Sequence, residues 1–377
     1  MSQSRQIAIV GGGVIGLSLA WELASRKQYV TLFESESVGR KASWAGAGIL
    51  SPSNSKTLTH PTDKLMGLGS DIHSQWTSKL KSITGIDNGY VECGGLYIAR
   101  TSGEKAALYG QMLHWTEYEI PFRALKSPSQ VEFAQVMNLS ENDLMIEVSG
   151  ESQICNPQHL KALSAACEKL GVQIVENCDL NFGMNADSIE LVVDGEQSRF
   201  DQVCFCAGAW TTQILSKVGF HVPMIPVRGQ MLLFKLDSQL FEPIINEGSR
   251  YLVPRRDGYV LVGSTTEEVG FDSSTTPKKL DELMAFANSI FPALNKNSLV
   301  KSWAGLRPAS HDGFPFMGAL PNCENGFVAS GHFKAGLQMS PAVAICMASL
   351  MMGEEPLMEM KSFDPGRLDL SDSIQSG

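Results

Sequence analysis

Residues 7–10 lead directly into Gly11-Gly12-Gly13-Val14-Ile15-Gly16, and no other part of the chain restricts the fold as strongly. Four consecutive apolar residues predict a short buried strand. Apolar residues at 14, 15, 17, 19, 20, 23 and 24 predict a buried helix after it. A second strand at 29–33 completes a βαβ unit, which implies a parallel sheet with a right-handed crossover. A G-x-G-x-x-G run between strand and helix is the context that gives the motif weight. Without a Cβ at Gly11 and Gly13 the chain turns tightly, and its amides approach a pyrophosphate whose charge the helix N-terminus favours. Glu34 ends the second strand, where a carboxylate accepts hydrogen bonds from a ribose diol. The bland alternative is a glycine turn in an ordinary α/β protein. A dinucleotide is the stronger expectation, and the fingerprint leaves NAD and FAD both open.

The 377 residues suggest two to three domains. Parallel-sheet character returns at 157–170 (helix), 172–175 (strand), 189–194 and 200–206 (strands), with a mixed, more polar stretch at 90–143 before it. From 222 to 302 the pattern changes to alternating strands at 230–235, 251–254 and 259–263, with a helix at 277–291, which reads as antiparallel sheet. A glycine-rich block at 305–336 then precedes an apolar helix at 337–352. The expected architecture is α/β: a nucleotide domain assembled from residues 1–88, 150–221 and 304–362, and an inserted substrate domain from 89–149 and 222–303. Residues 363–377 are expected as a surface tail that frays.

Charge and composition narrow the partners. The net charge of -10 would repel a phosphate backbone, so nucleic acid is not expected. No pair of the eight cysteines has CxxC spacing, and the seven histidines contain no HExxH, so no metal site is expected. The apolar run near the N-terminus is interrupted by glycines, and residues 343–352 fall far short of the ~20 residues that span a bilayer. The expectation is a soluble cytoplasmic protein.

Small residues at Ala42-Ser43-Trp44-Ala45-Gly46-Ala47-Gly48-Ile49 would let a large planar ligand lie against the backbone. Together with GGGVIGLSLAWEL, Glu34, CAGAW at 206–210, PVRGQ at 226–230, GLRPASHDGFPFMG at 305–318 and GHFKAG at 331–336, this run closely resembles the D-amino-acid oxidase family of FAD amine oxidases, and within it the glycine oxidases. The resemblance covers residues 5–367. It implies a Rossmann-type (GR2-like) FAD-binding domain, with the cofactor lined by Gly11, Gly13, Val14, Ile15, Gly16, Glu34, Ser35, Ala42, Ser43, Ala47, Gly48 and Ile49, and with Leu180 near the adenine. Gly331, His332, Phe333, Lys334, Ala335, Gly336, Leu337 and Gln338 would pass along the flavin ring. A glycine turn leading into a helix agrees physically: it puts positive backbone dipole beside the ring edge where negative charge collects on reduction.

For the substrate, the resemblance implies Arg307 and Tyr251 on an amino-acid carboxylate. A guanidinium fork makes two parallel bonds to such a group. Taken singly, Arg307 reads as a surface ion-pair residue and Tyr251 as a half-buried strand residue. Lys334 stands where glycine oxidases usually present arginine, so it balances charge with less fixed geometry. Thr266 stands where they carry methionine, a further expected change in the pocket. No residue is expected to act as general acid or base, because flavin amine oxidation takes the α-hydride from the neutral amine. Sarcosine-oxidase relatives attach flavin through a cysteine near the substrate block. Here Cys323 is the nearest in sequence to Arg307, so non-covalent FAD is implied; Cys204 and Cys206 read as core thiols.

The reaction implied is oxidation of glycine, sarcosine or a small D-amino acid by O2, giving the imine or 2-oxo acid, ammonia and H2O2, with the glycine imine serving thiamine-thiazole synthesis. A homotetramer is implied as well. Two relatives stay open: a D-amino-acid or hydroxyproline dehydrogenase passing electrons to quinone, and the oxidase of a tRNA wobble-uridine modifying protein.

Overall fold

In the computed structural model, which describes residues 4–368, the opening segment forms the strand Gln6–Val10, the helix Val14–Ser25 and the strand Tyr29–Glu34. They belong to a six-stranded sheet of order Phe316–Ala319, Gly326–Ser330, Gln202–Phe205, Gln6–Val10, Tyr29–Glu34, Gln173–Glu176. All neighbours are parallel except the first pair. The strand Gln6–Val10 is central because it is apolar on both faces. Ile7 and Ile9 enter one core, Ala8 and Val10 the other.

The Ile7 face is covered by four helices, Val14–Ser25, Pro61–Thr84, Asn156–Lys169 and Gly336–Met352. Gly336–Met352 is buried nearly all round, as its predominantly apolar composition requires, with Gln338, Ser340 and Ser349 buried among the apolar residues. The 24-residue helix Pro61–Thr84 is not foreseen in the sequence. Its buried face mixes Gly67, Gly69 and His73 with Leu65, Trp76 and Leu80, which blurs the apolar period. Gly69 is there for contact: a Cβ would lie 2.1 Å from the Gln338 carbonyl oxygen.

On the Ala8 face lies a small antiparallel sheet of Leu180–Asn185, Ser188–Val193 and Glu196–Ser198. The strand expected at 189–194 in the parallel sheet is part of this meander instead. Asp194-Gly195, both at positive φ, close it with a two-residue turn, and such turns join antiparallel neighbours.

The second sheet has eight strands in the order Leu299–Ser310, Met224–Lys235, Tyr259–Gly263, Arg250–Pro254, Ile244–Glu247, Gly95–Ala99, Leu144–Val148, Phe122–Leu125. It is antiparallel apart from the pairing of Ile244–Glu247 with Gly95–Ala99. Helix Pro277–Ile290 packs on one face through Leu283, Phe286 and Ile290. The polar stretch at 90–143 contributes two of these strands, Gly95–Ala99 and Phe122–Leu125, and the helix Ser102–Glu117, whose start is fixed by a capping box between Thr101 and Glu104.

The tail expectation is corrected for the residues described. Phe363 is fully buried, and Arg367 pairs with Asp312 at 2.9 Å, so the chain up to 368 is packed. The remainder of the expected tail lies outside the described residues. Among the described residues no helix is long and apolar enough to cross a membrane.

Candidate active site

A cavity of about 790 Å³ opens between the two sheets. On one side it meets the C-terminal ends of the parallel strands at Gly11, Glu34, Cys206 and Ser330, where open α/β sheets place their ligands. On the other it is walled by Gly229, Met231, Asn246, Tyr251 and Arg307 of the antiparallel sheet.

The glycine loop works by close approach. Gly11 has φ +110°, and a Cβ on it would lie 2.5 Å from the Cys206 carbonyl oxygen. Gly13 is the N-cap of helix Val14–Ser25 and offers no capping side chain; the Val14 amide donates to Ser43 Oγ at 2.9 Å. Glu34 accepts from the Gly12 amide at 2.9 Å, which sets the carboxylate at the lip of the loop. Gly48, at φ +74°, lies so close to the neighbouring chain that a Cβ would stand 1.9 Å from the Ile154 carbonyl oxygen. Half-buried Arg255 braces this segment through Ala47 O at 2.8 Å and Gln153 Oε1 at 2.6 Å.

At the other end Arg307 is largely enclosed, and burial pushes its guanidinium below the usual arginine range while the Tyr251 hydroxyl beside it works the other way. Its partners are neutral: Nη1 donates to Thr265 O at 3.2 Å and Nη2 to Ser264 Oγ at 2.8 Å. Among the described residues no carboxylate pairs with it, so it is a half-buried cation without a counter-ion, facing a cavity. Arginine keeps its proton in proteins, so relief comes from a bound anion and not from deprotonation. The Lys334 ammonium lies at the cavity mouth, lowered by burial and by the charge of Arg307. His332 is buried on the wall, its pKa lowered to about 3 by desolvation, and Nε2 has no partner. It is a neutral imidazole at ordinary pH.

The cavity wall includes nearly all the residues singled out in the sequence: Gly11, Gly13, Val14, Ile15, Glu34, Ser35, Ala42, Ser43, Ala47, Gly48, Ile49, Leu180, Tyr251, Arg307 and the run 332–338. Three do not reach it. Gly16 packs behind the loop, where a Cβ would lie 2.0 Å from the Gly11 carbonyl oxygen, and Gly331 turns at φ +86° against Met224. Thr266 is exposed on the far side of its segment, so it alters no pocket wall. Gln338 is committed to structure: its side chain donates to Ser51 O and Ser70 Oγ and accepts from the Ser51 amide. Arg307 lies within the strand Leu299–Ser310, three residues before its end, not at its end.

Wall residues without a sequence signal include Glu151, Tyr97 and Asn246. The Glu151 carboxyl accepts from the Tyr97 hydroxyl at 3.2 Å and Asn246 Nδ2 at 3.0 Å, and full burial raises its pKa to about 8. Cys178 and Cys206 touch the wall beside Glu34 and Gly11, at the glycine-loop end.

A glycine loop with its ribose-type acid on one side of the cavity, and a half-buried guanidinium on the other, define a protein that brings a dinucleotide and a small anion together. The chain belongs to the FAD-dependent oxidoreductase (DAO) family, whose model matches residues 6–350. Its cofactor is therefore FAD. It is 34% identical to the glycine oxidase of Pseudomonas putida over 97% of this chain and 100% of that one. The crystal structure of glycine oxidase from Geobacillus kaustophilus superposes with a TM-score of 0.89 at 27% identity, covering 97% of this chain and 99% of that one. Iminodiacetate oxidase from Chelativorans shares the fold, with a TM-score of 0.85 at 23% identity over 96% and 99% of the two chains.

Proposed function

We propose that the protein is a glycine oxidase: an FAD-dependent enzyme that oxidises glycine, and with it sarcosine or small D-amino acids, to the imine, consumes O2 and releases H2O2. Water then converts the imine to the 2-oxo acid and ammonia. In the same reading the glycine imine supplies thiamine-thiazole synthesis. The observation that carries the proposal is the half-buried Arg307, without a carboxylate partner and with the Tyr251 hydroxyl beside it, opening on the cavity of an FAD family member. Full-length likeness to a glycine oxidase supports glycine over the dehydrogenase and tRNA-modifying alternatives.

The residues present fit FAD. Gly11, Gly48 and Gly305 let segments of the wall approach one another to distances that a Cβ would forbid, which shapes the cavity, and Asn156 Oδ1 and His332 Nε2 are buried polar atoms without partners on that wall. We assign Gly11, Gly13, Val14 and Ile15 to the pyrophosphate, Glu34 and Ser35 to the ribose, and Leu180 to the adenine. Ala42, Ser43, Ala47, Gly48, Ile49 and 332–338 flank the ring system, and attachment is non-covalent. FAD held there would supply the acceptor for the substrate's α-hydride and the route by which its electrons reach O2.

This chain's own residues bind and orient. Arg307 and Tyr251 hold the carboxylate, and Lys334 adds positive charge at the mouth. Met231 and Leu306 contribute apolar side chains to the wall of the same cavity as Arg307. His332, its pKa lowered to about 3 by desolvation, is a weak base, and we assign it no proton transfer. By the same likeness we propose a cytoplasmic homo-oligomer, which light scattering of the purified protein tests.

Substitution at Arg307 is the experiment for the substrate assignment. Arg307→Met removes the guanidinium and keeps much of the stem. Glycine oxidation, followed by peroxide release, is expected to fall at least ~100-fold in kcat/KM, the scale of a lost charge-assisted pair. Turnover within a few fold of the parent would refute the assignment.

A further inference from the structure

We infer that Thr265 and Glu267 are positioning residues for Arg307: they fix the backbone carbonyl that aims its guanidinium, and they are pinned by the opposite face of the strand over which that guanidinium lies. The inference rests on the glycine-oxidase reading of the site and deepens it.

The strand Met224–Lys235 carries Arg228-Gly229-Gln230 past Arg307. An ideal Cβ on Gly229 would lie 2.0 Å from Arg307 Nη2, so the guanidinium occupies the place of that missing side chain. Side chains alternate across a strand, so Arg228 and Gln230 leave on the other face. Both reach Glu267: Arg228 Nη2 lies 3.0 Å from Oε2, and Gln230 Nε2 donates to Oε1 at 2.9 Å. Arg228 and Glu267 also exchange backbone hydrogen bonds, at 2.8 and 3.0 Å.

Thr265 joins this clamp to the site. Its hydroxyl donates to Glu267 Oε1 at 2.6 Å and accepts from the Gln230 amide at 2.9 Å, while its carbonyl accepts from Arg307 Nη1 at 3.2 Å. Further along, Gln230 is bonded to Thr276 in both directions and Arg228 pairs with Asp272 at 2.5 Å, so the whole segment from 264 to 276 is tied to one strand. Arg228 is 3% exposed and Gln230 fully buried, so the strand side of the clamp is desolvated, while its carboxylates Glu267 and Asp272 reach solvent. None of Arg228, Gln230, Thr265 or Glu267 lines the cavity. They act on substrate only through Arg307.

The consequence concerns aim. Thr265 O and Ser264 Oγ each take one N–H from a different terminal nitrogen, and each nitrogen keeps a second N–H for a carboxylate. A bidentate grip needs both in register, so a loosened Thr265 weakens carboxylate binding before it affects the chemical step.

The test compares FAD-loaded Thr265→Val and Thr265→Ser with the parent, reading glycine KM and kcat by peroxide release and glycolate Kd by isothermal titration calorimetry. Thr265→Val is expected to raise glycine KM and glycolate Kd together by about tenfold, the size of a lost hydrogen bond to a charged group, with kcat within about twofold. Thr265→Ser, which keeps the hydroxyl, is expected to restore both. Unchanged KM and Kd in Thr265→Val, with an active parent, would overturn the inference. Should that variant not fold, Glu267→Gln carries the test from the Arg228 side: a rise of about threefold in both constants supports it, and no change overturns it. A parent that binds glycolate but does not oxidise glycine would instead contradict the glycine-oxidase reading, and the glycolate titrations would still report the aim of Arg307.

Discussion

Arg307 and Gly229 share one volume: the guanidinium fills the space in which a side chain on residue 229 would stand, with Nη2 at 2.0 Å from the ideal Cβ position. Even one methyl group there must displace the guanidinium, the far end of a flexible side chain. Gly229→Ala is therefore expected to fold and keep FAD while glycine kcat/KM drops by about tenfold or more, the cost of losing a well-aligned charged hydrogen bond. Steady-state kinetics beside a flavin spectrum check this. Unaltered kinetics would mean that Arg307 need not hold its present position.

Gly48 meets backbone rather than a flexible tip. It sits at φ +74°, and a Cβ would fall 1.9 Å from the Ile154 carbonyl oxygen. Gly48→Ala combines left-handed strain with overpacking, roughly 2–4 kcal/mol together. The expected outcome is a lower Tm and loss of retained FAD after gel filtration, because the cofactor-side wall must shift. A variant with parental Tm and flavin content would contradict this placement of the 46–49 segment.

The opening βαβ unit was legible because strand, glycine loop and helix each carry a local signal at 6–34, and the sheet order merely adds neighbours to it. Helix Pro61–Thr84 was not, since Gly69 and His73 lie on its buried face for reasons set by Gln338 and Leu337 across the contact. The site divides the same way. Arg307 stands in a motif that could be read, and Glu34 ends a recognisable strand. Glu151, Tyr97 and Asn246 come from separate strands or loops and carry no spacing signal, so only the pairing of Asn246 with Tyr97 and Tyr251 brings them to one wall. Thr266 misled because it stands two residues from Ser264, which lines the cavity, while Thr266 itself is exposed and does not.

Glu151 makes a pH prediction with a definite sign. Burial raises its pKa from 4.5 to about 8, so between those values the folded protein holds a proton that the unfolded chain has released. Stability from this group is full below about pH 4.5 and declines as pH rises toward 8. Glu151→Gln removes the titration, so its Tm should fall less steeply over that interval than the parent's. Parallel Tm profiles would show that the carboxyl does not titrate there.

The buried histidines act on the acid side. His73 and His159, lowered to about 4 and 3 by burial, stay neutral in the folded state, whereas the unfolded chain binds protons below about 6.5. Stability is lost as pH falls below that value. Acid unfolding of the parent should therefore begin between about pH 6.5 and 4, and His159→Asn should move its midpoint to lower pH. An unmoved midpoint would assign the acid limit to other groups.

The central claim is that FAD in this cavity is reduced by glycine held on Arg307. Anaerobic mixing of the FAD-loaded protein with glycine, with the flavin absorbance followed in a stopped-flow cell, tests it directly. Bleaching of the oxidised flavin by glycine and sarcosine, absent in Arg307→Met at the same concentrations, is the predicted result. A flavin that stays oxidised with glycine, sarcosine and D-alanine alike would contradict the account.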